Sequence, residues 1–263
     1  MKQIANILAK YLLICKIRRS KRRYYEYYQS KNERIIHNGM LSYLDRQQQV
    51  VLDGLFKTSK ADDIDMIINM RLSELRDVFG ENELYLLRVT MEPLIEGALD
   101  DGVLSAEKTM GRRFGSDAVR QGLLVSLGER VNKVKNISDN LYKDIQTTIG
   151  NGLVEGETIR QLQDRIKDLY GPDMADYRAK RIAATESAGA ISDATHISYQ
   201  KSGIKTKAWL ATNDGKTRPS HMSAQNQGYI PIEQTFSNGL RYPGDQNGSA
   251  KEVVNCRCAL IGG

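Results

Sequence analysis

The chain has 263 residues, 40% of them hydrophobic and 27% charged, with a formal net charge of +6. That length holds one large domain or two smaller ones around a lean core, and the aromatic set, 13 Tyr against 4 Phe, suits partner-contacting surface. No stretch reaches the roughly 18 apolar residues of a membrane span, so no membrane partner is expected.

At the N terminus, Ile4, Ile7, Leu8, Tyr11, Leu12 and Cys15 fall at helical spacing and predict an amphipathic helix. Lys10 and Lys16 break its apolar run and no small-residue cleavage site follows, so a signal peptide is not expected. The cysteines, Cys15, Cys256 and Cys258, cannot all pair and fit a reducing compartment. Residues 16–23 form a basic patch of Lys16, Arg18, Arg19, Lys21, Arg22 and Arg23. Such a run suits phosphate, an acidic protein surface or a solvated arm. Tyr24, Tyr25, Tyr27 and Tyr28 follow it, a basic–aromatic pattern that serves nucleic acid or simply half-buries in a helix.

Helical spacing continues over 35–56. Asp62 and Asp63 cap a further helix carrying Ile64, Ile67, Ile68, Leu72, Leu75 and Phe79. Residues 84–99 give another, which Pro93 should kink or shorten. Gly111 and Gly115 mark a loop around Arg112 and Arg113, and 118–127 is helical. Ser138 is read as the cap of a helix that Gly150-Asn151-Gly152 ends. Thr158 and Gln161 make a capping box for a helix stopped by Gly171-Pro172. A long helix spans 174–201, and the small residues of 181–190 let another backbone come close. Within it, Glu186 needs a partner if buried. It is read as an ion pair with Arg181, Arg218 or Arg257 that ties the helix to the C-terminal module, against a solvent-facing alternative.

Past Ser202-Gly203 the period shifts towards 2. Residues 204–210 read as a strand, Asn213-Asp214-Gly215 as a turn, and Thr217 as the cap of a short helix that has Pro219 near its start and carries His221. Residues 229–232 read as a strand and 236–242 as a hairpin turning at Asn238-Gly239. The fold class expected is α+β, predominantly α: a helical, basic N-terminal region over 1–136, then a module over 137–263 whose small α+β part covers 204–263.

Chemistry concentrates in this last part. His221 with Cys256 and Cys258 supplies three ligands that zinc accepts. A closed structural site wants a fourth, for which Asp214 and Asp245 are candidates. The other reading is two reduced thiols on one face of an extended end. Either way, the segment of Thr217, Arg218 and His221 is expected to meet the segment of Asn255, Cys256, Arg257 and Cys258, because buried imidazole and thiols need partners. A competing reading assembles Asp214, His221 and the Cys pair into a metal-dependent nuclease or hydrolase. The chain has no H-E-x-x-H, G-x-S-x-G or phosphate-binding glycine loop, and no catalytic residue is assigned.

The succession R-I-A-A-T-E, K-A-W-L-A-T-N-D-G-K-T-R-P-S-H, F-S-N-G-L-R-Y-P-G-D and N-C-R-C resembles the phage Mu F-like family of minor head proteins, also called phage head morphogenesis proteins. It covers roughly residues 140–260, and the first half matches no family motif. The resemblance implies a structural minor capsid protein of a tailed phage or prophage, not an enzyme, that acts in procapsid assembly. Its implied partners are the portal protein and the major capsid or scaffold protein, with contact to DNA during packaging as an accessory. Its implied place is the virion, inside the head, and the host cytoplasm during assembly. The family's signature falls on Arg181, Thr185, Glu186, Trp209, Asp214, Thr217, Arg218, His221, Gly239, Pro243, Gly244, Asn255, Cys256, Arg257 and Cys258. One branch has C-x2-C where this chain has Arg218-x2-His221, a departure that removes one zinc ligand. Some members carry a toxin domain after the module, and none is expected after Gly263.

Overall fold

The computed structural model describes residues 2–56, 73, 74, 76 and 82–263, with side chains from residue 21 onward. Apart from residues 73, 74 and 76, the helix expected behind Asp62 and Asp63 lies outside the described residues, as do the side chains of Cys15, Lys16, Arg18 and Arg19. The helices are α1 (Lys2–Phe56), α2 (Leu84–Met110), α3 (Asp117–Lys133), α4 (Lys135–Val154), α5 (Ile159–Leu169) and α6 (Pro172–Lys201). After them come β1 (Thr206–Leu210), α7 (Pro219–Asn226), β2 (Tyr229–Pro231), α8 (Ala250–Val253) and β3 (Ala259–Gly262). The protein is predominantly α with a small α+β module, the class expected from the sequence. Among the described residues no helix is long and apolar enough to cross a membrane.

The chain forms two compact units. One comprises residues 35–94 and 128–182. Its α4 and α5 pack side by side, burying Ile145, Ile149, Leu162 and Ile166. The capping box at Thr158 and Gln161 is present at the start of α5. Tyr170 donates to Gln47 at 2.8 Å, Gln47 donates to Tyr43 at 2.7 Å, and Arg46 grips Glu83 at 3.1 and 2.8 Å. Two expectations fail in α4. Ser138 is buried inside the helix rather than capping it, and Gly150-Asn151-Gly152 does not end it. Gly152 is there for proximity: a Cβ on it would lie 2.5 Å from Leu162 and 2.6 Å from Glu157. The chain leaves the helix at Gly156, with φ +71°. Pro93 does not shorten α2, which runs on to Met110. The carbonyl that loses its donor belongs to Val89, a residue 51% exposed, where water is at hand.

The other unit comprises residues 1–34, 95–127 and 183–263. Its sheet is antiparallel with order β2-β1-β3. Lys207 stands opposite Ile230, and Trp209 opposite Leu260. Central β1 is covered on both faces. Trp209 packs with Tyr199, Phe236, Leu240 and the two Cys residues, while Ala208 and Leu210 pack with Tyr25, Ile191 and Ile261. Covering both faces leaves Lys207 with no exposed surface. The expected hairpin over 236–242 is a loop without strands. Phe236 N–H donates to the Leu240 carbonyl and Gly239 N–H to the Phe236 carbonyl, both at 2.8 Å, and Leu240 N–H goes to the Asn238 side chain at 3.2 Å. These local bonds replace a ladder before Pro243-Gly244 turns the chain away.

Between the helices of this unit, buried Asp101 of α2 accepts from Lys31 and Asn32 of α1 at 2.7 and 2.8 Å. Ser126 of α3 donates to Asp193 of α6 at 2.6 Å.

Candidate metal centre

Two turns set the centre. In the first, Asn213 takes φ +56°, and Asp214 Oδ1 accepts from the Lys216 amide at 3.2 Å and the Thr217 hydroxyl at 3.1 Å. Thr217 is thereby used in the turn, and the residue at the N-cap of α7 is Arg218, with Pro219 in the first helical turn. Arg218 reaches across to donate to the Val254 carbonyl at 2.6 Å. The second turn is made by Asn255, also at φ +56°, whose amide donates to Thr185 Oγ1 of α6 at 3.1 Å. Cys256 and Cys258 then face inward, both buried, while Arg257 points out towards Glu33 at 3.8 Å.

The two segments meet at His221, which is 2% exposed. Its Nδ1 lies 3.4 Å from Cys258 Sγ and 3.8 Å from Cys256 Sγ. Its Nε2 lies 3.1 Å from Glu252 Oε2 but outside hydrogen-bond geometry, and that oxygen accepts from Ser220 at 2.9 Å. The Trp209 ring meets the imidazole edge-on at 5.0 Å and Phe236 at 5.2 Å, closing the apolar side. Both cysteines are free thiols, and the hydrogen bond between them, then burial, pushes the Cys256 thiol well up. The same bond, with help from His221, holds Cys258 down against its own burial.

The three ligand atoms lie within 4.8 Å of one another. A tetrahedral zinc, with bonds of about 2.3 Å to sulfur and about 2.0–2.1 Å to nitrogen, spaces N and S by about 3.5 Å. The donor set and its spacing therefore fit zinc, and Glu252 stands close enough to the far ring nitrogen to become the carboxylate partner of a ligating imidazole after a small reorientation. The two aspartates named as fourth ligands are engaged elsewhere. Asp214 holds its turn. Asp245, buried, takes Arg241 Nε and Nη2 at 2.8 Å each, the Arg241 amide at 3.0 Å and the Asn247 amide at 3.1 Å. Burial raises the Asp245 pKa, but these bonds outweigh it and leave the carboxyl below its usual range. Among the described residues, the grouped metal-ligating side chains are His221, Cys256 and Cys258.

Residues 143–261 match the family model of the phage Mu protein F like protein. This stretch belongs to the phage Mu F-like family. A stretch of 128 residues, 49% of the chain, is 27% identical to an uncharacterized protein of Haemophilus influenzae, of which it covers 26%. The chain thus spans about a quarter of that relative's length. No solved structure matches.

Most of the signature positions of the Mu F-like module hold its own segments together. Thr185 seats the turn before the Cys pair. Gly244, at φ +70°, passes so close to α6 that a Cβ on it would lie 2.8 Å from Gly189 Cα. The small residues of α6 thus admit a loop backbone. Glu186 is half-buried and engaged, and exposed Arg181 lies 5.5 Å over the Tyr177 ring. Arg218 and Arg257, named as partners for Glu186, contact Val254 and Glu33 respectively.

The basic patch divides by use. Lys21 donates to the Gly262 carbonyl at 2.9 Å and Arg22 to that of Ala211, while buried Tyr25 reaches Ser192 at 3.4 Å. These residues of α1 grip the sheet and α6, which the sequence reading missed. Arg23 is exposed and lines a groove of about 430 Å³ with Tyr24, Tyr27, Tyr28 and Lys108. The reading also missed half-buried Glu252 beside His221 and two buried groups, Lys207 and His196, whose pKa burial and then Lys207 pull down to about 4.

Proposed function

We propose that this chain is a structural minor component of a tailed-phage or prophage head, acting in procapsid assembly through contact with the portal protein or the inner capsid. The observation that carries the reading is how the Mu F-like module spends its polar residues. Asp214, Thr217, Arg218, Thr185 and Asn255 bond to the module's own turns and backbone. A hydrolase built on Asp214 and His221 would need both presented to a substrate; here Asp214 is tied to its turn and His221 is buried.

Zinc held by His221, Cys256 and Cys258 would join α7 to the end of the chain, a staple for a module with a thin core. If DNA is touched during packaging, the groove of Arg23, Tyr24, Tyr27, Tyr28 and Lys108 suits it best, with cations for phosphate and open aromatic faces for bases. The test is co-expression of the full chain with the portal protein encoded in the same genome, followed by affinity capture of either one. The reading expects a complex that survives size-exclusion chromatography. Separate elution at every concentration tried would count against portal contact.

A further inference from the structure

Outside the family-matched stretch, residues 96–127 of α2, the loop after it and α3 enclose a groove of about 590 Å³. Its floor is apolar, with Leu99, Val103, Phe114, Val119 and Leu123 among the lining residues. Leu124 stands on its edge at 59% exposure and Leu104 at 40%. An apolar trough with exposed leucines at its lip is what a docking surface looks like before it is covered.

The rims carry opposite charges. On the α2 side stand Glu96 and Asp100, both exposed; on the α3 side stand Arg120 and, on the loop before it, Arg113. Glu107 is already used, accepting from the Phe114 amide at 2.8 Å and standing 3.8 Å from Arg113, which leaves Arg120 as the basic charge of the α3 rim that pairs across it. Asp117 lies in the first turn of α3, where the helix dipole accounts for an acid. An acidic rim facing a basic rim across an apolar floor is complementary to itself. Rotation by a half-turn about an axis along the groove lays a copy's α3 rim on this chain's α2 rim, and the reverse. The same operation sets each copy's Leu124, on the α3 edge, against the α2 side of the other copy's trough.

We propose that the α2–α3 groove is a homotypic docking surface, and that two copies of this chain pair through it. The pairing is steered by Asp100 and Glu96 against Arg120 and closed by Leu124. It does not depend on the head-assembly reading, because the family-matched stretch begins at residue 143.

The experiment is analytical ultracentrifugation of the full chain from about 1 to about 100 μM, at low and at high salt. The mass should rise from 29.6 kDa towards twice that value, and salt should weaken the rise. Leu124→Asp, on an exposed position, should leave the circular dichroism unchanged and abolish the rise. Asp100→Arg and Arg120→Glu should each weaken pairing about tenfold or more, since each sets like charges together. The double variant restores opposite rims and should recover to within a few-fold. A wild-type mass fixed at 29.6 kDa throughout would overturn the proposal and leave the groove to a different partner. Pairing that survives Leu124→Asp, or a double variant no better than the singles, would overturn it as well.

Discussion

Replacing Lys207 with Met should stabilise this protein. Lys207 lies on the central strand with no exposed surface; its Nζ makes no hydrogen bond among the described residues and sits 5.6 Å from the centre of the Phe236 ring. Burial draws its pKa from 10.5 down to about 8. Keeping it charged at pH 7 against that pull costs about 3 kcal/mol, at about 1.4 kcal/mol per tenfold change in proton affinity. The ring returns about 1 kcal/mol. Met has nearly the same length and no charge, so the expected net gain is about 1–3 kcal/mol, with Tm rising by about 2–4 °C per kcal/mol. The sign can be checked with pH. The folded pKa is below the unfolded one, so between about pH 8 and about pH 10.4 the unfolded chain binds more protons. The Lys207 contribution therefore rises across that window in the wild type, and the variant lacks it. Urea unfolding of both proteins at pH 7 and pH 10 gives the comparison. A variant less stable than wild type at pH 7, with the same change on going to pH 10, would show instead that the ammonium is well partnered in solution.

The same geometry sets other outcomes. Gly244→Ala should cost about 2 kcal/mol or more by urea unfolding, because the residue holds a left-handed φ, worth about 1–2 kcal/mol, and its Cβ would meet Gly189 at 2.8 Å. His196, with a folded pKa of about 4 against about 6.5 unfolded, should make stability fall as pH drops through that window, by up to about 3 kcal/mol. His196→Gln should flatten the fall, and equal slopes for both proteins would contradict the assignment. Metal analysis of protein purified without chelator should find about one zinc per chain, lost in Cys258→Ser, with a lower Tm for wild type after chelation. Metal-free protein that is equally stable would leave the His–Cys contact as hydrogen bonds alone.

Most of the module's elements could be read from the sequence because they rest on local chemistry. The period-2 run over 204–210, Pro219 at a helix start, Ser202-Gly203 at a helix end and the Thr158–Gln161 box each act through neighbours in the chain. The meeting of His221 with the Cys pair could also be inferred, since few other groups could satisfy a buried imidazole and two buried thiols. What misled were residues whose role depends on a distant partner. Gly152 looks like a helix stop until Leu162 is seen against it. Thr217 looks like a cap until its hydroxyl is seen on Asp214. Asp245 looks like a ligand until Arg241 is seen around it. Lys21, Arg22 and Tyr25 reach carbonyls and a hydroxyl more than 160 positions away, and neither a carbonyl nor a serine hydroxyl leaves a pattern to pair them with. Lys207 alternates as a solvent-facing residue would, and only the cover on the second face of β1 makes it interior.

The composition of phage heads tests the proposal that this chain is one of their components. Procapsids and filled heads are purified from cells in which the encoding phage or prophage has been induced, and the chain is quantified by mass spectrometry against the portal and major capsid proteins. The chain is expected in procapsids at a fixed ratio to the portal. A chain that is abundant in the lysate but missing from both procapsids and heads would contradict it.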